Sequence, residues 1–125
     1  MLELFGQPYD ESDPCWVVKG YFDRMYHDGR FIKALELIVK RWGCSTDGAY
    51  CNFPDLDSLS EEENFEGVEF SYGYPPGIEN TVVVSEDVCA KYIRLACDKY
   101  WEFHPEDRTK VEVFLEGALF PISPR

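Results

Sequence analysis

The residues of this chain best suited to chemistry are two histidines, five cysteines and a run of carboxylates. His27 and His104 each stand at the predicted end of a helix, and neither belongs to an HExxH motif, a nucleophile elbow or a glycine-rich phosphate loop. No two cysteines have the close spacing of a zinc knuckle. The five are Cys15, Cys44, Cys51, Cys89 and Cys97. We therefore expect no catalytic residue, no metal and no cofactor.

Carboxylates dominate the charge of the chain and are unevenly distributed. The 125 residues include 24 Asp and Glu against 12 Lys and Arg, a net charge of −12. No Lys or Arg lies between Trp42 and Ala90, and we call this stretch the acidic segment. Its acids carry nearly all of the net charge: Asp47, Asp55, Asp57, Glu61, Glu62, Glu63, Glu66, Glu69, Glu79, Glu86 and Asp87. Such a field repels nucleic acid and anionic membranes and attracts a basic partner.

The pattern of these acids favours binding over catalysis. Glycoside hydrolysis needs two carboxylates that face one bond, whereas Glu61–Glu63 is a run in a polar stretch. Aromatic residues interleave with the acids, and Tyr72 and Tyr74 flank a turn, where we expect exposure. Tyr beside carboxylates is typical of a protein-binding surface. The candidate binding residues are Asp55, Asp57, Glu61, Glu62, Glu63, Glu66, Glu69, Tyr72 and Tyr74.

Helical periodicity is clear before the acidic segment. Asp13-Pro14 predicts a helix start, and apolar residues then recur at helical spacing as far as Gly29. A second helix is predicted from about Phe31 to Trp42, with Trp42 on its apolar stripe and Gly43 as its C-cap. The two helices are expected to form a hairpin.

Within and after the acidic segment the pattern changes to strands and then returns to helices. Residues 68–72 and 81–84 predict an antiparallel hairpin, with residues 49–53 as a possible third strand. Ser85 is a good N-cap for a helix that His104-Pro105 ends, and Pro105 starts a last helix. The fold class is therefore α+β: an N-terminal helical hairpin and C-terminal helices packed on a small antiparallel sheet, in one domain over residues 1–125.

The sequence also predicts a compartment. No apolar run approaches the roughly 20 residues that span a bilayer, and the first basic residue is Lys19, so neither a membrane span nor a secretory leader is expected. An odd number of cysteines without such a leader indicates reduced thiols in the cytoplasm.

Several segments, in order, resemble the CdiI immunity proteins of bacterial contact-dependent growth inhibition. The matching stretches are Glu3-Leu4-Phe5-Gly6-Gln7-Pro8-Tyr9, Trp16-Val17-Val18-Lys19-Gly20-Tyr21-Phe22, Asn52-Phe53-Pro54-Asp55-Leu56, Phe70-Ser71-Tyr72-Gly73-Tyr74-Pro75-Pro76-Gly77 and Val88-Cys89-Ala90-Lys91-Tyr92. The resemblance implies an antitoxin that binds the C-terminal toxin domain of a cognate CdiA protein, commonly an RNA-cleaving domain. It implies no catalytic residue.

The charge pattern agrees with this resemblance, because an acidic inhibitor can cover the basic cleft in which a ribonuclease binds phosphates. Two alternatives stay open at this point. One is an acidic nucleic-acid mimic that inhibits a different protein. The other is an enzyme that uses Cys44, Cys51 or the histidines.

Overall fold

Helices flank a small sheet in the computed structural model, which describes residues 4–6, 10, 12–46, 48–54, 67–73, 77 and 80–118. Within these residues the elements are α1 (Trp16–His27), α2 (Phe31–Ile38), β1 (Ala49–Asn52), β2 (Val68–Tyr72), β3 (Thr81–Val84), α3 (Glu86–Phe103) and α4 (Arg108–Glu116). The predicted α+β class, with a helical pair before the sheet and further helices after it, is confirmed.

The three strands form one antiparallel sheet in the order β1-β2-β3. Cys51 is paired with Phe70 and Phe70 with Val82, so β2 is the central strand. The predicted hairpin of β2 and β3 is confirmed, and the possible third strand pairs with the other edge of β2.

The core is centred on α1, which packs on the sheet, and buried residues of α2, α3 and α4 extend it. Tyr21 and Phe22 of α1 are fully buried, and their rings lie 5.2 Å and 6.1 Å from the ring of Phe70 in β2. Met25, one turn further along α1, is also fully buried. This i, i+3, i+4 spacing gives α1 one apolar face, which is the face that packs on the sheet.

Local sequence signals account for both ends of α3. The Ser85 hydroxyl accepts a hydrogen bond from the Val88 N–H at 3.2 Å, which confirms Ser85 as the N-cap. At the other end the His104 N–H donates to the Tyr100 carbonyl at 2.8 Å. The chain then makes a 3₁₀ turn over Pro105–Asp107, so α4 begins at Arg108, three residues later than predicted.

A buried carboxylate attaches the N-terminal residues to α1. Asp23 is 3 % exposed, and its two oxygens accept hydrogen bonds from the Phe5 N–H at 2.7 Å and the Gly6 N–H at 3.0 Å. Leu4, beside these donors, is buried in the core. Asp23 therefore positions a segment that would otherwise have unpaired backbone donors.

Among the described residues, no helix has both the length and the apolar character needed to cross a membrane.

Candidate functional site

The two faces of the sheet differ because side chains alternate along each strand. Phe70 and Tyr72 of β2 lie against α1, whereas Glu69 and Ser71 lie on the opposite side, which we call the outer face. The outer face consists of two cross-strand rows, Asn52–Glu69–Val83 and Tyr50–Ser71–Thr81. The first of these rows closes one end of the sheet, which we call the acidic end.

Glu69 is a predicted binding residue that the structure places in the row at the acidic end. Its Oε1 accepts a hydrogen bond from Asn52 Nδ2 at 3.3 Å. Val83, paired with it on the other side, is 45 % exposed. The neighbours of Glu69 in this row are a neutral amide and an apolar side chain, and neither is basic, so this part of the outer face can attract a basic group.

Tyr72, a second predicted binding residue, lies on the other face of β2. Its ring packs edge-on to Trp16 of α1, with 6.1 Å between ring centres. It also covers Gly20, where an added Cβ would stand 3.5 Å from the Tyr72 ring. Glu69 and Tyr72 are therefore not brought together on one face, and the anchor role of the half-buried Tyr72 stays a prediction.

The other predicted binding residues lie outside the described residues: Asp55, Asp57, Glu61, Glu62, Glu63, Glu66 and Tyr74. The strand register nevertheless fixes where the chain that carries most of them leaves and re-enters the sheet. Asn52, the last residue of β1, is paired with Glu69, near the start of β2. This stretch of acidic chain thus begins and ends at the acidic end of the sheet.

A surface residue that the sequence placed in the core is Trp42. The prediction of a helix as far as Trp42 is wrong, because α2 ends at Ile38 and the chain then turns at Arg41, whose φ is 61°. The Arg41 N–H donates to the Ile38 carbonyl at 2.9 Å and the Trp42 N–H to the Leu37 carbonyl at 3.0 Å, which are the hydrogen bonds of a Schellman motif. Trp42 therefore leaves the apolar stripe and is 59 % exposed, and Gly43 is not the cap.

The turn that carries Trp42 is held in place on both sides. Before it, Arg41 Nη2 lies 2.8 Å from Glu86 Oε1 at the start of α3. After it, Gly43 packs so closely on β1 that an added Cβ would stand 2.6 Å from the Cys51 carbonyl oxygen. The exposed indole is thus mounted on a fixed turn beside the sheet.

A group of potential metal ligands lies at the C-terminal end of α3. His104, Glu106 and Asp107 each place a ligand atom within 4.8 Å of the others. The same side chains serve as hydrogen-bond partners: Tyr26 Oη lies 2.7 Å from His104 Nε2, and Tyr100 Oη donates to Asp107. These bonds join α1, α3 and the turn before α4, which gives the group a structural role.

The cysteines are free thiols in the structure, and four of the five are buried: Cys44, Cys51, Cys89 and Cys97. Burial raises the pKa of Cys89 and of Cys97 to about 12, and it raises the pKa of Cys51 well above its ordinary value. These three side chains are therefore protonated at neutral pH, and a protonated thiol is a poor nucleophile.

Together these features define a small α+β protein whose half-buried Glu69 carboxylate and exposed Trp42 indole suit contact with another protein. Comparison with known families gives the class a name: the family model described as CDI immunity protein matches residues 14–115. The chain belongs to this family of immunity proteins. The resemblance drawn from the sequence is thereby confirmed.

A solved structure supports the fold independently. An immunity protein from Neisseria meningitidis MC58 matches with a TM-score of 0.67 and 16 % sequence identity, over 82 % of this chain and 86 % of that one. At this level of identity the likeness concerns the fold. No curated protein matches the chain by sequence.

Membership of the family implies that the chain acts as an antitoxin by binding a cognate toxin. Trp42 is not recognisable as a candidate contact residue from the sequence, because its spacing continues the helical stripe of α2. The basic pair Lys40-Arg41 directly before it is the one signal that the stripe reaches the surface there.

Proposed function

We propose that this immunity protein binds and neutralises the C-terminal ribonuclease toxin domain of a cognate CdiA protein, by covering the basic RNA-binding or active-site surface of that domain. The charge distribution carries the proposal, since nearly all of the net −12 falls in the acidic segment, where there is no Lys or Arg. A ribonuclease binds RNA phosphates through Lys and Arg, so a strongly negative inhibitor competes for the same side chains.

The ion pairs on the helices support a localised negative field. Four basic side chains on or next to the helices are paired with an acid four residues away. The residues outside the acidic segment together hold 12 Lys and Arg against the remaining 13 Asp and Glu (24 less 11), so the acidic segment is the source of the excess charge. The pairs are Arg24–Asp28 at 3.1 Å, Lys40–Glu36 at 4.0 Å, Arg94–Asp98 at 3.5 Å and Arg108–Glu112 at 2.8 Å. A basic partner is therefore attracted toward the acidic segment and not toward the helices.

The predicted binding residues take two roles in this proposal. The carboxylates guide the toxin to the surface and pair with its basic side chains; they are Asp55, Asp57, Glu61, Glu62, Glu63, Glu66 and Glu69. Tyr72 and Tyr74 add apolar contact. The protein acts in the cytoplasm by binding alone, without catalysis, cofactor or metal, and it binds no nucleic acid itself.

Binding kinetics and RNA cleavage test the proposal together. The C-terminal toxin domain of the cognate CdiA protein is purified and assayed on RNA with increasing amounts of the immunity protein. The variant with Glu61, Glu62 and Glu63 replaced by Lys should associate roughly 10-fold more slowly or worse at low salt, because steering by charge is lost. Its association rate should also depend less on salt concentration.

A matched variant controls for net charge. Replacing the surface acids Glu102, Glu112 and Glu116 on α3 and α4 by Lys changes the net charge by the same amount. Equal slowing by both triple variants would contradict the assignment of the surface. Failure of the toxin domain alone to cleave RNA would contradict the ribonuclease part of the proposal, and failure of the wild-type proteins to associate would contradict all of it.

A further inference from the structure

The toxin interface needs an apolar anchor as well as a negative field. We infer that Trp42 is that anchor, and that the interface reaches from the acidic segment across the acidic end of the sheet to the turn after α2. This inference rests on the proposed function, because its occupant is the basic toxin domain.

Trp42 is a large apolar side chain that the folded protein leaves exposed. Among the described residues, the large apolar side chains that are exposed are Trp42, Val83, Leu95, Phe103 and Val113. Trp42 has the largest side chain of the five and is 59 % exposed. Val83 belongs to the row at the acidic end. Tryptophan is enriched among the few residues that supply most of the binding energy in interfaces, since its ring removes a large apolar area from water. An indole left in water on a small protein is therefore suited to be covered by a partner.

The backbone that carries the Trp42 indole is ordered before a partner binds. Arg41 adopts a left-handed conformation, which at the end of a helix is usually adopted by Gly. Such a conformation persists where surrounding contacts fix it, and here the Schellman hydrogen bonds and the ion pair with Glu86 do so. Because the backbone under Trp42 is already ordered, the entropy lost when a partner covers the ring is small.

The turn that carries Trp42 is linked through Asn52 to Glu69, which belongs to the proposed binding surface. An added Cβ at Gly43, next to Trp42, would stand 3.6 Å from Asn52 Cα and 3.7 Å from Asn52 Oδ1. Asn52 in turn donates from Nδ2 to Glu69. The turn therefore passes close to Asn52, which is hydrogen-bonded to Glu69, so Gly43 and Glu69 lie at the same end of the sheet and one partner surface can extend over both.

The charge of the chain selects the toxin as occupant over a second copy of the protein. Two copies with a net charge of −12 repel each other, whereas a basic domain is attracted. The indole ring also suits a basic partner, because its face attracts Lys and Arg. Lys40 Nζ already lies 5.5 Å from the centre of the Trp42 ring, and its charge is matched by Glu36.

The test compares Trp42→Ala with Val113→Ala in binding to the C-terminal toxin domain of the cognate CdiA protein. Val113 lies on α4 and is 60 % exposed, so it reports the loss of an exposed apolar side chain elsewhere. Trp42→Ala should raise Kd by about 30-fold or more, mostly through faster dissociation. Trp42→Phe, which keeps an aromatic ring, should lose less. Circular dichroism of each variant verifies the fold, and the exposed position of Trp42 makes unfolding unexpected.

The outcomes separate this inference from the proposed function. If the wild-type protein binds the toxin domain and Trp42→Ala raises Kd no more than Val113→Ala, the anchor is overturned while the proposed function stands. If the wild-type protein does not bind, both fall. A dimer of the free protein in sedimentation, lost in Trp42→Ala, would also overturn the inference, because the surface would then be covered by a second copy.

Discussion

Replacement of Asp23 tests how the N-terminal residues are held. Its carboxylate accepts hydrogen bonds from two backbone N–H groups, at 2.7 Å and 3.0 Å, and is 3 % exposed. A hydrogen bond to a charged group contributes about 1.5–3 kcal/mol, so two bonds give an upper range of about 3–6 kcal/mol. The loss is limited, however, because residues 4–6 can detach and expose their donors to water.

The cost of that detachment sets the expected value. Detachment exposes Leu4, which is 4 % exposed in the fold, at a cost of about 1.5–3 kcal/mol. Other contacts of the segment add to this, so we expect Asp23→Ala to lower the free energy of unfolding by about 3 kcal/mol. Asp23→Asn keeps one acceptor oxygen and should lose about half as much. Since small domains are stable by about 5–15 kcal/mol, both variants should remain folded.

Urea unfolding, followed by circular dichroism and tryptophan fluorescence, measures these values. Leu4→Ala, alone and combined with Asp23→Ala, completes a double-mutant cycle. If Asp23 acts by holding the segment that buries Leu4, the two losses should be less than additive by at least about 0.5 kcal/mol. A loss below about 1 kcal/mol for Asp23→Ala, or full additivity, would refute the reasoning.

Three further predictions concern stability. Gly43→Ala should lower the free energy of unfolding by about 1–3 kcal/mol, because the new Cβ would stand 2.6 Å from the Cys51 carbonyl oxygen; an unchanged urea midpoint would contradict this. Ser85→Ala should lower it by about 1 kcal/mol through loss of the helix cap, whereas Ser85→Asp, measured in the same way, should preserve it. Above about pH 9 stability should fall by about 1.4 kcal/mol per pH unit for each of Cys89 and Cys97, because burial raises the pKa of each from 9.0 to about 12 on folding and only the unfolded thiols ionise in that range; urea midpoints that stay flat between pH 8 and pH 11 would exclude it.

Local sequence signals predicted the strands and the start of α3 well. Residues 68–72 alternate apolar and polar side chains, and β2 has those bounds, because a half-buried central strand imposes that alternation. The Ser85 cap is equally local, because its hydroxyl accepts a hydrogen bond from the N–H of Val88, only three residues further along the chain.

The end of α2 was mispredicted because the deciding features are not local. Arg41 occupies a position where Gly is usual, and Gly43, which looked like the cap, is required instead by the close approach of β1. That approach exists only in the folded protein. The hydrogen bonds of Asp23 also depend on tertiary structure, because Phe5 and Gly6 precede Asp23 by 18 and 17 positions in the chain.

The sequence predicts only those features of the candidate site that depend on local pattern. Alternation along β2 puts Glu69 on the outer face and Tyr72 on the inner one, and this separation was readable from their spacing of three residues. The exposure of Trp42 was not readable, because it depends on where α2 ends.

The pairing of Asn52 with Glu69 has a consequence for how immunity can diversify. The chain leaves the sheet after Asn52 and re-enters it at Val68, so neighbouring strands hold the two ends of residues 53–67 close together. The entropy of closing a loop grows only with the logarithm of its length, and making this one half as long again would cost about 0.4 kcal/mol. Changes of length or charge there are compatible with an unaltered strand register. On the proposed function, specificity for a new toxin can therefore change within this stretch while the sheet that holds its two ends is retained.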